Sequence, residues 1–173
     1  MQSEQTLFYF GYGSNLFVPR IVDRIASAKT VGTAAVSGYR LKFNKQGHDG
    51  SAKANMCFTG NSIDVIRGAI YEMDASQKPV LDAIEGIETD RGYTPRELNI
   101  TTDNGDSISV FVYIADQWMR DSSLKPYTWY RDLCLFGARS HGFPKEYCES
   151  VVNVAATQDL DNERDRLNRY GQI

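Results

Sequence analysis

A glycine-rich turn near the N-terminus is the first feature that could bind a ligand. In "LFYFGYGSNLF", residues 7–17, alternating large apolar side chains run directly into Gly11, Gly13, Ser14 and Asn15. Backbone N–H groups in such a turn between a strand and a helix can converge on an anion, and Ser14 and Asn15 add side-chain donors. The alternative is that the glycines only allow a tight turn and that a polar side chain caps the next helix.

The spacing of this turn does not match the known phosphate loops. A dinucleotide fingerprint would need a third glycine where Leu16 stands, and a Walker loop would end in Gly-Lys-Ser or Gly-Lys-Thr. The turn therefore favours a carboxylate or a carbonyl oxygen over a phosphate cofactor.

Glu85 is the candidate for proton transfer. It ends a predicted helix in "SQKPVLDAIEG", residues 76–86, just before the glycine that stops the helix. The negative end of the helix dipole disfavours a charged carboxylate there, and partial burial acts in the same direction. Such a glutamate suits general base catalysis near neutral pH, although a purely structural glutamate is the alternative. On a helical wheel, Glu85 flanks an apolar face formed by Val80, Ile84 and Ile87, with Leu81 at its edge.

Metal ligands are sparse in the sequence. His48 and His141 lie far apart without an HExxH pattern, which makes a zinc site improbable. Cys57, Cys134 and Cys148 are odd in number and widely spaced, so we expect buried thiols rather than a disulfide framework or a CxxC metal site. We predict no metal and no cofactor.

Length and charge narrow the class of protein. With 173 residues, of which 42% are hydrophobic and 24% charged, the chain fits a single domain over residues 1–173. Its net charge of −3 gives no general attraction to nucleic acid or anionic membrane. Apolar runs fall short of the roughly 20 residues of a membrane helix, and "MQSEQTLFYF" lacks the basic and apolar regions of a signal peptide. We expect a cytoplasmic protein with neither nucleic-acid nor membrane partners.

The order of the predicted elements indicates an α+β fold. Six segments rich in β-branched and aromatic residues read as strands: "TLFYF", "GYRLKFN", "ANMCFTG", "VIRGAIYEM", "YTPRELNITT" and "SISVFVYIA". Helices are predicted in "VPRIVDRIA", in "SQKPVLDAIEG" and on both sides of "HGFP" within residues 127–156, and residues 157–173 form a polar helix or tail. So many strands in a small domain favour a mixed-sheet β-barrel flanked by helices, because closure removes exposed edges.

Three segments together resemble the γ-glutamylcyclotransferases. They are "FGYGSNL", "GAIYEMD...LDAIEG......GYTP" and "WYRDLCLFGARSHGFPKEY", and they occur in the family's order over residues 7–150. The last of them is similar to γ-glutamylcyclotransferases rather than to the shorter amine-directed enzymes of the same AIG2-like superfamily. The "DGSAKAN" stretch is similar to bacterial members.

The resemblance implies a barrel fold and a cofactor-independent reaction that releases 5-oxoproline from a small γ-glutamyl compound, as in glutathione metabolism. It implies that Glu85 is the general base and then the general acid. It also implies a glutamyl pocket lined by backbone groups of Tyr12, Gly13, Ser14, Asn15 and Leu16, and by Tyr93, Tyr113 and Tyr130. Tyr93 stands one residue further from the glutamate than in the family. Tyr113 and Tyr130 are equally well read as core aromatics.

Several alternatives stay open at this point. The leaving group could be an amino acid, an amine or a specialised metabolite, and a homodimer is as compatible with the sequence as a monomer. Lys53 could meet a substrate carboxylate or be a solvated loop lysine. A non-catalytic ligand-binding module and an interaction protein that uses exposed aromatics of "WYRDLCLF" are the competing classes of function.

Overall fold

The computed structural model describes residues 5–170; residues 1–4 and 171–173, the two ends of the predicted domain, lie outside the described residues. Within that range the chain forms seven strands and five α-helices. The strands are β1 (Thr6–Gly11), β2 (Lys29–Ser37), β3 (Tyr39–Gln46), β4 (Ala52–Phe58), β5 (Val65–Asp74), β6 (Thr94–Thr101) and β7 (Ser107–Ile114). The helices are α1 (Val18–Arg24), α2 (Lys78–Ile84), α3 (Thr128–Ser140), α4 (Lys145–Val152) and α5 (Asn162–Asn168).

Five of the strands form one curled mixed sheet in the order β2-β5-β1-β7-β6. Its pairs are antiparallel except for the parallel pair of β1 and β7. The two edge strands meet where Ala34 bridges Thr102, and the Asp103 N–H donates to the Thr33 carbonyl at 2.8 Å. This contact closes the sheet at one end and confirms the predicted mixed-sheet barrel.

Strand β2 is absent from the sequence prediction. Its sequence, "KTVGTAAVS", contains glycine and alanine, which are depleted in strands. It forms because it pairs with β5 from Lys29 to Ser37, with a register shift between Thr30 and Gly32. Pairing with a buried neighbour therefore outweighs the weak local preference.

Strands β3 and β4 form a separate antiparallel hairpin that packs beside the barrel. Its register shifts between Phe43 and Lys45, so that Asn44 is the extra residue of a β-bulge. Beyond the shift, Lys45 lies opposite Lys53. The hairpin and its connecting loop form one wall of the cavity described below.

The two helices predicted on either side of "HGFP" are confirmed, since α3 ends at Ser140 and α4 begins at Lys145. Helix α3 packs closely on the glycine turn: a Cβ atom on Gly137 would lie 2.4 Å from the Leu16 Cβ. The three cysteines are buried, as expected from the sequence. In residues 5–170 no helix combines the length and apolar character that crossing a membrane requires.

Candidate active site

The glycine turn opens onto a cavity of about 250 Å³. The turn lies between β1 and α1, and it continues as a short 3₁₀ turn over Ser14–Leu16. The other walls come from α1, the end of α2, the β3–β4 hairpin and α3. Eight of the nine predicted site residues line this cavity: Tyr12, Gly13, Ser14, Asn15, Glu85, Tyr93, Tyr113 and Tyr130.

Contacts on both sides hold the turn in place. The Tyr71 hydroxyl donates to the Asn15 carbonyl at 2.8 Å, and the Tyr12 hydroxyl donates to the Tyr113 carbonyl at 2.5 Å. A Cβ atom on Gly13 would lie 2.9 Å from the Ala54 Cβ, which is closer than such atoms approach in proteins. Glycine at this position therefore lets the turn lie directly against β4.

Glu85 faces the turn. The Asn15 side-chain amide donates to Glu85 Oε1 at 3.2 Å, and Arg24 Nη1 lies 3.6 Å from the same oxygen. Arg24 also donates to the Asn15 Oδ1 at 2.9 Å, so one amide bridges the guanidinium and the carboxylate. Since the Glu85 side chain is 13% exposed, the carboxylate is sheltered but reachable from the cavity.

Helix α2 presents Glu85 to the cavity through a different face from the one predicted. Leu81, one turn before Glu85, is fully buried, whereas Val80 and Ile84 are 49% and 42% exposed. The predicted apolar face of Val80 and Ile84 was wrong because the barrel contacts the side of the helix that carries Leu81. Gly86, at φ 71°, then turns the chain away from the helix.

The predicted tyrosines are buried and already hydrogen-bonded. The Tyr93 hydroxyl donates to the Ala54 carbonyl at 2.7 Å, and the Ala54 N–H donates to the Tyr130 hydroxyl at 3.1 Å. The Tyr113 hydroxyl donates to Asp82 Oδ1 at 2.6 Å. Burial raises the pKa of all three phenols far above the ordinary value, so they stay neutral near pH 7.

Leu16 is the predicted site residue that lies outside the cavity lining. Its side chain is buried against α3, and its N–H donates to the Gly13 carbonyl at 3.0 Å. Its carbonyl accepts from His141 Nε2 at 2.9 Å and from the Tyr71 hydroxyl. With these groups engaged, Leu16 anchors the turn rather than facing a ligand.

Residues that the sequence pattern does not indicate also line the cavity, among them Tyr9, Arg24 and Lys45. Tyr9 accepts a hydrogen bond from the Asn15 amide at 3.0 Å. Arg24 lies on the predicted helix α1, but whether its side chain points toward Glu85 depends on how α1 packs against the rest of the protein. Lys45 faces inward because of the β-bulge in β3, which leaves no recognisable pattern in the sequence.

Of the two alternatives for Lys53, the structure excludes the solvated loop lysine. It lies on β4 with its side chain 15% exposed, and its ammonium donates to Asp49 Oδ2 at 2.6 Å and to Ser51 Oγ at 2.9 Å. The same ammonium lies 4.7 Å from the centroid of the Tyr130 ring. Burial lowers the pKa of Lys53, partly offset by Asp49.

Trp129 and Tyr130 of the "WYRDLCLF" segment are buried, at 3% and 6% exposure. This contradicts the exposed aromatic surface that an interaction protein would use there. Among residues 5–170, no group of three or more His, Cys, Asp or Glu side chains could hold a metal ion. The groups that line the cavity include the carboxylates of Glu85 and Asp49, the cations, the His48 imidazole, the neutral phenols and the backbone of the turn.

Comparisons with known proteins agree on one family. The model of the AIG2-like family matches residues 65–151. The γ-glutamylcyclotransferase of Bos taurus is 31% identical over 160 residues, which cover 88% of this chain and 81% of that protein. The γ-glutamylcyclotransferase of Homo sapiens is 30% identical over 159 residues, covering 87% and 80%. A solved structure described as a γ-glutamyl cyclotransferase superposes with a TM-score of 0.82 at 26% identity, covering 96% of this chain and 100% of that one.

Proposed function

This chain belongs to the γ-glutamylcyclotransferase family, and we propose that it converts a γ-glutamyl amino acid or amine to 5-oxoproline and the free amino compound, with Glu85 as acid and base. One observation carries the proposal: the Glu85 carboxylate lies 3.2 Å from the Asn15 amide of the glycine turn, inside a cavity of about 250 Å³. The turn and the carboxylate, 70 residues apart in the chain, are thus in direct contact, which supports the proposal.

The reaction needs a base because the nucleophile is the substrate's own α-amine. Near neutral pH that amine is mostly protonated and cannot attack the γ-amide carbonyl. The ammonium first loses one proton to solvent, and Glu85 then takes a second proton from the neutral amine as the new C–N bond closes the five-membered ring. Glu85 returns that proton to the departing nitrogen as the amide C–N bond breaks. The released amine takes up one proton from solvent, so no net proton is gained or lost over the cycle.

The turn supplies donors for the charge that develops on the substrate. The first N–H groups of a helical turn lack partners within it, and Gly13, Ser14 and Asn15 line the cavity at this point. We propose that these N–H groups bind the substrate's α-carboxylate and the oxyanion formed on the carbonyl. Preorganised donors of this kind stabilise the transition state without moving during the reaction.

Arg24 and Asn15 hold the Glu85 carboxylate toward the turn, and neutral Tyr93 and Tyr130 wall off the cavity. Because nucleophile and electrophile belong to one molecule, holding the cyclising conformer can contribute several kcal/mol, on the order of well-oriented intramolecular reactions. The proposed steps use only protein groups, as the family resemblance implies. We further propose a cytoplasmic enzyme of glutathione metabolism with a small-molecule γ-glutamyl substrate and no nucleic-acid partner.

Glu85→Gln tests the assignment of the base. The amide keeps the shape of the side chain but cannot accept the proton, so we expect 5-oxoproline release to fall by about 100-fold or more. Calorimetric titration with γ-glutamylalanine should still show binding. Glu88→Gln, which changes an exposed carboxylate three residues away in the chain, is the matched control and should behave as wild type. Turnover by Glu85→Gln close to the wild-type rate would contradict the mechanism.

A further inference from the structure

The cavity lining contains two groups of residues. The turn part consists of residues 12–15 together with Arg24, and the hairpin part consists of Lys45, residues 47–49 and Lys53. The Glu85 carboxylate accepts from the Asn15 amide of the turn part. The charge of Glu85 also acts on Lys45 of the hairpin part.

The residues that follow Glu85 lie against the loop of the hairpin. A Cβ atom on Gly86 would lie 3.6 Å from His48 Nε2, and Thr89 Oγ1 lies 3.3 Å from the same nitrogen. The chain around Glu85 thus contacts the turn through its carboxylate and the hairpin loop through its next residues. Both parts of the cavity therefore lie beside the segment that carries Glu85.

Two lysines lie opposite each other in the hairpin part. The register of β3 and β4 pairs Lys45 with Lys53 directly after the β-bulge. Like charges at directly opposed positions of a sheet are unfavourable. Lys53 is compensated, because its ammonium donates to Asp49 at 2.6 Å and to Ser51 at 2.9 Å.

Lys45 has no carboxylate ion pair of this kind among the described residues. It is 4% exposed, and its ammonium lies 4.6 Å from the centroid of the Tyr93 ring. Within residues 5–170 it forms no ion pair, in contrast with the Lys53–Asp49 pair. Burial lowers the pKa of Lys45 to about 8, although the charge of Glu85 acts against this. A buried cation without a partner carboxylate is costly, and an anion entering the cavity would offset that cost.

We propose that Lys45 binds the carboxylate of the leaving amino acid and thereby selects γ-glutamyl amino acids over γ-glutamyl amines. The inference rests on the proposed function, because it requires the glutamyl group in the turn part. Glu85 must reach the α-amine first and the departing nitrogen second. The leaving group therefore extends past Glu85 into the hairpin part, where Lys45 is the buried cation without a carboxylate partner among the described residues.

Two substrates that differ only in that carboxylate test the proposal. γ-Glutamylalanine carries it, and γ-glutamylethylamine is the same compound without it. For the wild-type protein we expect kcat/KM for 5-oxoproline release to be about 10- to 100-fold higher with γ-glutamylalanine, the range expected for a hydrogen bond between charged groups.

Lys45→Met keeps the length of the side chain and removes its charge. It should lower kcat/KM for γ-glutamylalanine about 10- to 100-fold and change that for γ-glutamylethylamine by less than about threefold. Lys45→Arg should keep most of the preference, because the cation is retained. Lys42→Met, at an exposed position of the same strand, is the matched control and should leave both values at the wild-type level.

Three results would overturn the assignment. An equal loss with both substrates would place Lys45 at the glutamyl α-carboxylate instead. Unchanged kcat/KM in Lys45→Met would show that Lys45 takes no part in substrate recognition. Equal efficiency of the wild-type protein with both substrates would refute the selectivity without any variant, even where Lys45→Met fails to fold. Wild-type protein that releases 5-oxoproline from neither compound would instead refute the proposed function itself.

Discussion

Gly13→Ala should weaken both the fold and the activity, because the turn has no room for a methyl group. The added Cβ would lie 2.9 Å from the Ala54 Cβ, whereas carbon atoms in contact prefer about 3.5–4.0 Å. The turn and β4 must then move apart by roughly 0.6–1.1 Å. Overpacking of this kind costs about 1–3 kcal/mol.

The two consequences can be measured separately. At roughly 2–4 °C per kcal/mol for a chain of this length, the midpoint of thermal unfolding should fall by about 2–12 °C. Displacing the donors by about 1 Å relative to Glu85 should lower kcat/KM for 5-oxoproline release by up to about 100-fold. Thermal melts followed by circular dichroism and steady-state kinetics on the same preparation provide both numbers.

A matched control and a rescue isolate the cause of this effect. Gly32→Ala adds the same methyl group where no atom lies within 4 Å, so the midpoint of unfolding should not fall. Ala54→Gly removes the opposing methyl group and should restore part of the stability and activity in the double variant, which a double-mutant cycle measures as a favourable coupling. The steric argument would be refuted if Gly13→Ala had the stability and activity of wild type. It would also be refuted if the change in unfolding free energy of the double variant equalled the sum of the two single changes.

Two further predictions concern the elements that support the site. Gly137→Ala should lower the midpoint of thermal unfolding, because the new Cβ would lie 2.4 Å from the Leu16 Cβ. This effect should outweigh the helix preference of alanine over glycine, which is about 1 kcal/mol. A stabilised variant would contradict this prediction. Hydrogen bonds from Arg164 and Trp129 lower the pKa of Asp159 to about 2. The ionised carboxylate therefore adds to the free energy of unfolding above about pH 4, the pKa of an aspartate in the unfolded chain. This stabilisation is lost as the pH falls toward 2. The difference in unfolding midpoint between wild type and Asp159→Asn should therefore shrink over that range, and a constant difference would refute the assignment.

Local sequence patterns predicted the parts of the site that depend on local geometry. The glycine turn was recognisable because small residues interrupt an apolar strand just before a helix. Glu85 was recognisable because it precedes a helix-stopping glycine, and Gly86 does adopt a positive φ of 71°. Family resemblance was needed to bring the turn and Glu85 together, since four strands, β2 to β5, separate them in the chain.

Tertiary packing decided what the sequence could not show. Helical periodicity favoured Val80 and Ile84 as the buried face of α2, yet the barrel buries Leu81. Strand β2 forms on residues with weak strand preference because β5 offers a partner. The inward position of Lys45 depends on one bulge, and such a bulge follows from pairing register rather than from residue type.

Glycines in both parts of the cavity are closely packed, and this bears on how specificity can vary. In the turn part, a Cβ atom on Gly13 would lie 2.9 Å from the Ala54 Cβ. In the hairpin part, a Cβ atom on Gly47 would lie 2.7 Å from Asp49 Oδ1 and 2.9 Å from the Ser51 carbonyl oxygen. Because a side chain at either glycine would disturb packing, we expect specificity to vary through side chains that already face the cavity, such as Lys45, rather than through the glycines.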